Sequence, residues 1–197
     1  LPSGLVPLGL VSLSDELRPE AHETLSAFQK AGVKLKIISG DNPNTVAALA
    51  RQAGLSQDIK VVSGLDLLDM SPAQLEQIAE EATIFGRITP QQKEYLVRAL
   101  KARGHYVAMI GDGVNDVLSL KQSNLGVAMQ SGSQAARGVA DIILLNDSFK
   151  ALPPAVGEGQ RIINGMQDIL KLFMTRVLYS ALLIVSTGFI GGFPFSP

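Results

Sequence analysis

The chain has 197 residues, a formal net charge of −1 and no cysteine. This length is sufficient for one domain with a sizeable core and an additional segment. The near-neutral charge argues against a polyanion-binding surface, so no nucleic-acid partner is expected. The lack of cysteine excludes a disulfide framework and thiolate chemistry. The chain begins with Leu1, and we expect it to be a piece of a longer protein.

Strand-like apolar segments alternate with helical segments over the first 150 residues. The predicted strands are LVPLGLVSL (5–13), VKLKIIS (33–39), IKVVSG (59–64), TIFGR (83–87), YVAMIG (106–111), LGVAM (125–129) and DIILL (141–145). The predicted helices cover 19–32, 44–54, 71–82, 89–104 and 114–122. Helices between strands require crossover connections, which predicts an α/β fold with a doubly wound, mostly parallel sheet. Such a sheet binds its ligands at the carboxyl ends of its strands.

The helix boundaries carry recognisable capping residues. Ser71 and Thr89 are predicted N-caps because each is followed by a proline, which fits the first position of a helix. The predicted stops are the glycines Gly32, Gly54 and Gly104.

The C-terminal segment is almost free of charge. Beyond Arg176 no charged residue occurs, and 172–190 is apolar apart from Arg176 and several hydroxyl groups. As a helix, this segment would be about 28 Å long, close to the hydrocarbon thickness of a bilayer. The alternative is a buried helix of a globular core. The lack of a polar face favours a membrane-spanning helix.

Basic residues lie on one side of this segment only. Lys150, Arg161, Lys171 and Arg176 precede or begin it, and none follows it. The positive-inside rule then places the preceding residues in the cytosol. The glycines and prolines of 191–197 predict a turn on the far side.

Three loops follow predicted strands and carry polar residues. In KIISGD, the Ser39 hydroxyl and the backbone N–H at Gly40 can donate to a phosphoryl oxygen. The alternative is a tight turn stabilised by Ser39 or Asp41. In RITPQQK, Lys93 lies one turn into a helix and can reach back over a strand end. Its alternative role is that of a solvated surface charge.

The third loop, IGDGVND (110–116), concentrates acidic residues. Asp112 comes directly after a strand, with Gly111 and Gly113 beside it to let the backbone approach a ligand. Asn115 and Asp116 follow in the first helical turn. The alternative is N-capping by Asp112, which accounts for one carboxylate but not for the cluster. The spacing fits neither a G-x-G-x-x-G dinucleotide loop nor an EF-hand.

Together the three loops suit phosphoryl transfer. Carboxylate oxygens select Mg²⁺, which is often shared between protein and phosphate. Ser39 and Lys93 would neutralise the other phosphoryl oxygens during an in-line transfer.

The order of motifs resembles P-type cation-transporting ATPases, which are haloacid-dehalogenase-like (HAD-like) phosphotransferases with a Rossmann-like fold. The motifs are DELRP (15–19), SGD (39–41), TPQQK (89–93), GDGVND (111–116), GVAM (126–129) and VADIILL (139–145), followed by GEGQRIINGMQDILKLF (157–173). They cover nearly the whole chain, and the stretch ISGDNPNTVAALA is most similar to bacterial pumps for calcium or general cations.

The resemblance implies a domain division. Residues 1–150 correspond to the C-terminal part of the phosphorylation domain, 151–171 to a stalk helix, 172–190 to the fifth transmembrane helix and 191–197 to the start of an extracytoplasmic loop. The sheet would be incomplete, because the family's phosphorylated D-K-T-G motif is absent from this sequence. The fragment alone is therefore expected to be inactive.

Site residues follow from the resemblance, motif by motif. Asp112 corresponds to a Mg²⁺ ligand, Lys93 to the lysine that contacts the phosphoryl group, and Ser39 with Gly40 to its hydroxyl and amide donors. Ser39 departs from the usual threonine but keeps the hydroxyl.

Asn115 and Asp116 correspond to residues that brace the phosphate loop, with Asp116 setting Lys93. Asp41 and Arg18 correspond to positions at the nucleotide-proximal edge. Arg18 has a local alternative partner in Asp15.

The resemblance implies an ATP-driven cation pump of the cell membrane, multi-pass when complete, with residues 1–171 cytosolic. Mg²⁺ and ATP are the implied cofactors. The transported cation, Ca²⁺ by resemblance, the membrane lipid and the remaining pump domains are the implied partners. Two alternatives are a soluble HAD-like phosphatase acting on a small phosphorylated metabolite and a receiver-type regulatory domain. The first would need its own D-x-D/T motif, and the second places its paired acids before the hydroxyl and the lysine rather than last.

Overall fold

The computed structural model describes Gly9, residues 17–56 and residues 58–190. The strand predicted over 5–13, Asp15 and the turn predicted over 191–197 lie outside the described residues. The chain forms two units, Leu1–Phe149 and Lys150–Pro197.

The first unit is an α/β structure whose described strand pairs are all parallel. One sheet has the order β1-β3-β2, formed by β1 (Ile37–Ile38), β2 (Val61–Ser63) and β3 (Ile84–Gly86). The other has the order β4-β5-β6, formed by β4 (Ala108–Gly111), β5 (Leu125–Met129) and β6 (Ile142–Leu144). The predicted parallel α/β fold is confirmed, but its strands are divided between two three-stranded sheets.

The described part of the unit contains six α-helices, of which the first precedes β1 and the other five connect successive strands. They are α1 (Ala21–Lys30), α2 (Pro43–Gln52), α3 (Pro72–Glu81), α4 (Pro90–Ala102), α5 (Val117–Gln122) and α6 (Gln134–Val139). Ser71 and Thr89 cap α3 and α4 as predicted, each in a capping box with a glutamine three residues later. Helix α6 was not predicted, although its N-cap Ser133 is the kind of residue that signals a helix start.

Helix α4 packs into both parts of the core. Its residue Leu96 lies in the apolar cluster of the first sheet with Phe85, and the next residue, Val97, lies in the cluster of the second sheet with Met109 and Ala128. Leu96 and Val97 are each only 1% exposed. The start of α4 is therefore fixed relative to strands of both sheets, which matters because Lys93 lies in its first turn.

Residues 152–190 of the second unit form one long helix, α7 (Leu152–Ile190). Its 39 residues correspond to a length of about 58 Å at the α-helical rise. Phe149–Phe189 forms a helical stretch that is long and apolar enough to cross a membrane, and the most apolar part of it is not buried within the chain. The residues predicted as stalk and as membrane span belong to one helix without a break.

Glu80 on α3 connects the segment before β1 with the segment between α4 and β4. Its carboxylate accepts from Lys34 Nζ at 3.1 Å, lies 3.6 Å from Arg103 Nε and contacts His105 Nε2. Lys36, directly before β1, donates to the backbone oxygen of Glu80 at 2.8 Å. The hydrogen bond with His105, and then that with Lys34, lowers the pKa of Glu80.

We expect Glu80→Gln to lower the thermal unfolding midpoint of the chain at neutral pH. The midpoint of this variant should also fall less between neutral and acidic pH than that of the wild type. A carboxyl whose pKa is lower in the folded state stabilises the fold above its unfolded pKa, and this stabilisation is lost as the pH falls through the folded pKa. The measurement is the unfolding midpoint between neutral and acidic pH. Glu76→Gln on the same helix is the control, since Glu76 forms no ion pair among the residues that the structure describes. Equal shifts in the two variants would contradict the prediction.

Candidate functional site

A cavity of about 330 Å³ lies where the carboxyl ends of β1, β4 and β5 meet. It is lined by residues from both sheets and from α4, namely Ile38, Ser39, Gly40, Lys93, Met109, Ile110, Gly111, Asp112, Asp116, Met129 and Phe149. All four predicted catalytic residues and the predicted metal ligand therefore line one cavity. Its position at the strand ends is the one expected for a parallel sheet.

Lys93 and Asp116 form an ion pair inside this cavity. Lys93 Nζ donates to Asp116 Oδ1 at 2.7 Å, and the two side chains are only 14% and 8% exposed. Lys93 is thus not a solvated surface charge, and the alternative role considered for it is wrong. A buried carboxylate requires such a partner because an unpaired buried charge is costly. The contact implied between Asp116 and Lys93 is present.

The second oxygen of Asp116 organises the loop after β4. Asp116 Oδ2 accepts from the backbone N–H of Gly113 at 3.1 Å and of Asp112 at 3.3 Å. A Cβ on Gly111 would lie 2.5 Å from Asp116 Cβ, so Gly111 leaves room for Asp116 rather than for a ligand. The alternative in which Asp112 caps the helix is therefore wrong, because Asp116 accepts these backbone bonds.

The Asp112 side chain, unlike that of Asp116, is not engaged by other described residues. Asp112 is exposed, and its carboxylate has no hydrogen bond or ion pair among the residues that the structure describes. Its oxygens are hard donors of the kind that Mg²⁺ prefers. The described residues contain no group of three acidic, histidine or cysteine side chains able to hold a metal. Asp112 fits the cation as one ligand of a set that needs further oxygens.

The loop after β1 forms the tight turn considered as an alternative. Ser39 Oγ donates to Asp41 Oδ2 at 2.9 Å and accepts from the backbone N–H of Asp41 at 3.1 Å. Asn42, rather than Ser39 or Asp41, caps α2 by accepting from the backbone N–H of Asn44. A Cβ on Gly40 would meet nothing within 4 Å, which leaves open space above this loop.

Asp41 and Arg18, predicted at the nucleotide edge, lie outside the cavity lining, and so does Asn115, which was predicted to brace the phosphate loop. Arg18 Nη1 donates to the backbone oxygen of Asp147 at 2.6 Å. Asn115 is exposed, and neither it nor Asp41 lines the cavity. The structure therefore brings together Ser39, Gly40, Lys93, Asp112 and Asp116, and it leaves the other three candidates outside.

Sequence reasoning missed contributions from the segments after β5 and β6. Met129 and Phe149 line the cavity, and the backbone N–H of Ser133 donates to the backbone oxygen of Asp112 at 2.7 Å. The run Ser131-Gly132-Ser133, which begins two residues after the end of β5, resembles the other strand-end loops, and this could have identified it.

Comparison with known proteins agrees with this geometry. Residues 5–124 match the family described as haloacid dehalogenase-like hydrolase. The calcium-transporting ATPase CtpE of Mycolicibacterium smegmatis is 45% identical over 208 residues, which covers 100% of this chain and 26% of CtpE. The cation-transporting ATPase pma1 of Synechocystis is 38% identical over 175 residues, covering 87% of this chain and 19% of pma1.

A solved structure is also similar, that of the catalytic domain of the CPx-ATPase CopB-B in a study of its conformational changes upon nucleotide binding. It matches with a TM-score of 0.56 and 27% identity, over 73% of this chain and 46% of that one. The chain spans about a quarter of the length of CtpE. It belongs to the haloacid dehalogenase-like hydrolase family, and its curated homologues are P-type cation-transporting ATPases.

Proposed function

We propose that this chain supplies the Mg²⁺- and phosphate-binding half of the phosphorylation site of an ATP-driven cation pump. The observation that carries the proposal is the convergence of Ser39, Gly40, Lys93 and Asp112 on one cavity at the strand ends. Asp116 lines the same cavity but is already bonded to Lys93 and to two backbone amides. The groups that face a ligand are thus the Ser39 hydroxyl, the Gly40 backbone N–H, the Asp112 carboxylate and a lysine ammonium that Asp116 already holds in place.

Each of these residues has a defined role toward a phosphoryl group. Lys93 places a positive charge in a partly buried site, where water screens it less than at the surface. Ser39 donates its hydroxyl proton by exchanging Asp41 for a phosphoryl oxygen, and Gly40 offers its backbone N–H. Asp112 would hold Mg²⁺, which supplies neutralisation of the phosphoryl oxygens.

The phosphoryl acceptor has to come from another segment. None of the aspartates in this sequence is followed by Lys-Thr, and relatives such as CtpE are about four times as long. In the described part of the chain, β1 and β4 each pair on one side only, and both end at the cavity. A further parallel strand between them would satisfy both edges and would place its last residue opposite Asp112.

The long helix α7 would attach this site to the membrane. Thr175, Ser186 and Thr187 donate their hydroxyls to backbone oxygens of α7 itself, which satisfies these groups where no water is available. Residues 172–190 would cross the bilayer, with residues 1–171 in the cytosol and the other helices of a multi-pass plasma-membrane protein around them. Motion at the phosphorylation site would pass along α7 to the cation pathway.

ATP is the proposed phosphoryl donor, and the cation is proposed from the relatives, of which CtpE is named as a calcium transporter. The span of this chain contains no Asp, Glu or Asn after Arg176, so other helices would supply charged cation ligands. A soluble phosphatase is not favoured, because it would need its own nucleophile and would have no use for an uncharged C-terminal helix.

We expect Asp112→Asn to abolish most phosphoenzyme formation in the intact pump that contains this chain. The substitution keeps the shape of the side chain and removes no hydrogen bond or ion pair among the described residues, so a purely structural residue would tolerate it. Loss of the charge in such a site costs on the order of 10²-fold in rate. The measurement is the phosphoenzyme level as a function of Mg²⁺ concentration.

Asp66→Asn is the matched control for this experiment. Asp66 Oδ2 accepts from the backbone N–H of Ser63 at 3.0 Å, a bond that asparagine preserves, and Asp66 does not line the cavity. An Asp112→Asn pump with the Mg²⁺ dependence of the wild type would refute the metal assignment.

The isolated chain should form no acid-stable, hydroxylamine-sensitive phosphoenzyme with Mg²⁺ and radiolabelled ATP, because it lacks the proposed acceptor motif. The intact pump, treated in parallel, is the positive control. A labelled acyl phosphate on residues 1–197 would mean that an aspartate of this chain is the acceptor, and the phosphatase alternative would then be favoured.

The isolated chain should also partition into membranes and resist extraction by alkaline carbonate, because 172–190 is long enough to cross a bilayer. A chain that ends at Gly157 should remain in the high-speed supernatant. Recovery of residues 1–197 there as a soluble monomer would exclude the spanning helix.

A further inference from the structure

The segment that follows β6 is held in an unusual backbone conformation. Asn146 and Asp147 have φ values of 55° and 52°, a left-handed region that non-glycine residues rarely occupy in succession. Such a conformation persists only where surrounding contacts determine it. Here the backbone N–H of Asn146 donates to Gln130 Oε1 at 2.7 Å, and Arg18 Nη1 donates to the backbone oxygen of Asp147 at 2.6 Å.

The Asp147 side chain extends this connection to the loop after β5. Asp147 Oδ1 accepts from the backbone N–H of Ser131 at 3.0 Å. The hydrogen bonds from Ser131 lower the pKa of Asp147, so the group is a carboxylate at neutral pH. A charged acceptor makes a stronger hydrogen bond to a backbone N–H than a neutral one does.

The loop that Asp147 holds is pressed against the backbone of Asp112. We define the β5 loop as residues Gln130–Ser133. Its Ser133 N–H donates to the backbone oxygen of Asp112 at 2.7 Å. A Cβ on Gly132 would lie 2.9 Å from that oxygen and 3.1 Å from Asp112 Cα, so the two segments leave no space for a side chain between them.

Two hydrogen bonds, one at each end of the β5 loop, therefore link Asp147 to the proposed metal ligand. We propose that Asp147 is a positioning residue, which fixes the β5 loop and through it the backbone of Asp112, and thereby sets the affinity of the site for Mg²⁺. This inference rests on the proposed function of Asp112. Asp147 itself is not among the residues that line the cavity.

The experiment compares Asp147→Asn with Asp147→Ala in the intact pump, using Mg²⁺ as the probe. Asparagine keeps an oxygen acceptor for the Ser131 N–H, whereas alanine removes it. We expect alanine to raise the half-saturating Mg²⁺ concentration for phosphoenzyme formation by roughly tenfold or more, as removal of an orienting partner behind a metal ligand does. Asparagine should restore most of the wild-type value. Hydrogen exchange of peptides spanning 130–134 should be faster in the alanine variant.

Asp141→Ala is the matched control. Asp141 Oδ2 accepts from the backbone N–H of Gly126 at 2.7 Å, which is the same kind of bond at the opposite end of β5. Its loss should leave the Mg²⁺ requirement unchanged. If Asp141→Ala raises the half-saturating Mg²⁺ concentration as much as Asp147→Ala does, the effect is a general loss of stability and the proposal is overturned. If Asp147→Asn raises it as much as Asp147→Ala does, the effect is purely electrostatic and the proposal is also overturned.

Gly132→Ala provides a second route to the same site. The added methyl group must displace the Asp112 backbone, so this variant should also raise the Mg²⁺ requirement while Asp147 is intact. A wild-type Mg²⁺ requirement in both Asp147→Ala and Gly132→Ala would refute the positioning role. If the Asp147→Ala variant shows faster hydrogen exchange at 130–134 but Asp112→Asn has the Mg²⁺ dependence of the wild type, the proposed function of Asp112 is refuted instead.

Discussion

The buried ion pair between Lys93 and Asp116 is the interaction on which the candidate site depends. It joins the first turn of α4 to the loop after β4, and α4 in turn packs into the cores of both sheets. Because the pair is largely removed from water, the loss of either partner would leave an uncompensated charge. The positions of Lys93 and of the β4 loop are thus coupled. A phosphoryl group entering the cavity would meet a lysine whose side chain is already ordered, so less conformational entropy is lost on binding.

This ion pair also explains why two aspartates can lie close together in one loop. Asp116 is neutralised by Lys93 and accepts two backbone N–H bonds, which leaves its negative charge fully compensated within the protein. Asp112, only four residues away, is exposed, and its carboxylate has no partner among the described residues. A divalent cation at Asp112 would then face one free carboxylate rather than two competing ones. Asp116 is the structural acid because Lys93 pairs with it, and Asp112 is the acid that remains for a cation.

Local sequence signals predicted the local structure well. The strand segment 125–129, the caps Ser71 and Thr89 and the parallel arrangement follow from residue type, spacing and the order of elements, and the structure agrees. Features set by distant contacts were not predictable in this way. The capping role fell to Asp116 because Gly111 leaves room for it, and the Ser39 hydroxyl was engaged by Asp41. The β5 loop was missed because it contacts Asp112 through its backbone, although its Ser-Gly-Ser run after a strand resembles the other strand-end loops.

In α7 the backbone is the same throughout, and only the side chains distinguish the proposed stalk from the proposed membrane span. The backbone is one regular helix from Leu152 to Ile190, so no geometric break marks a boundary between an aqueous and a lipid-embedded part. Only side-chain chemistry changes along it. Ion pairs such as Arg161–Glu158 and Lys171–Asp168 occur in its first half, and hydroxyls bonded to the helix itself occur beyond Arg176. A continuous helix contains no loop between its first turn and its apolar half at which a displacement would be absorbed. That continuity is what a mechanical link between a phosphorylation site and a membrane requires.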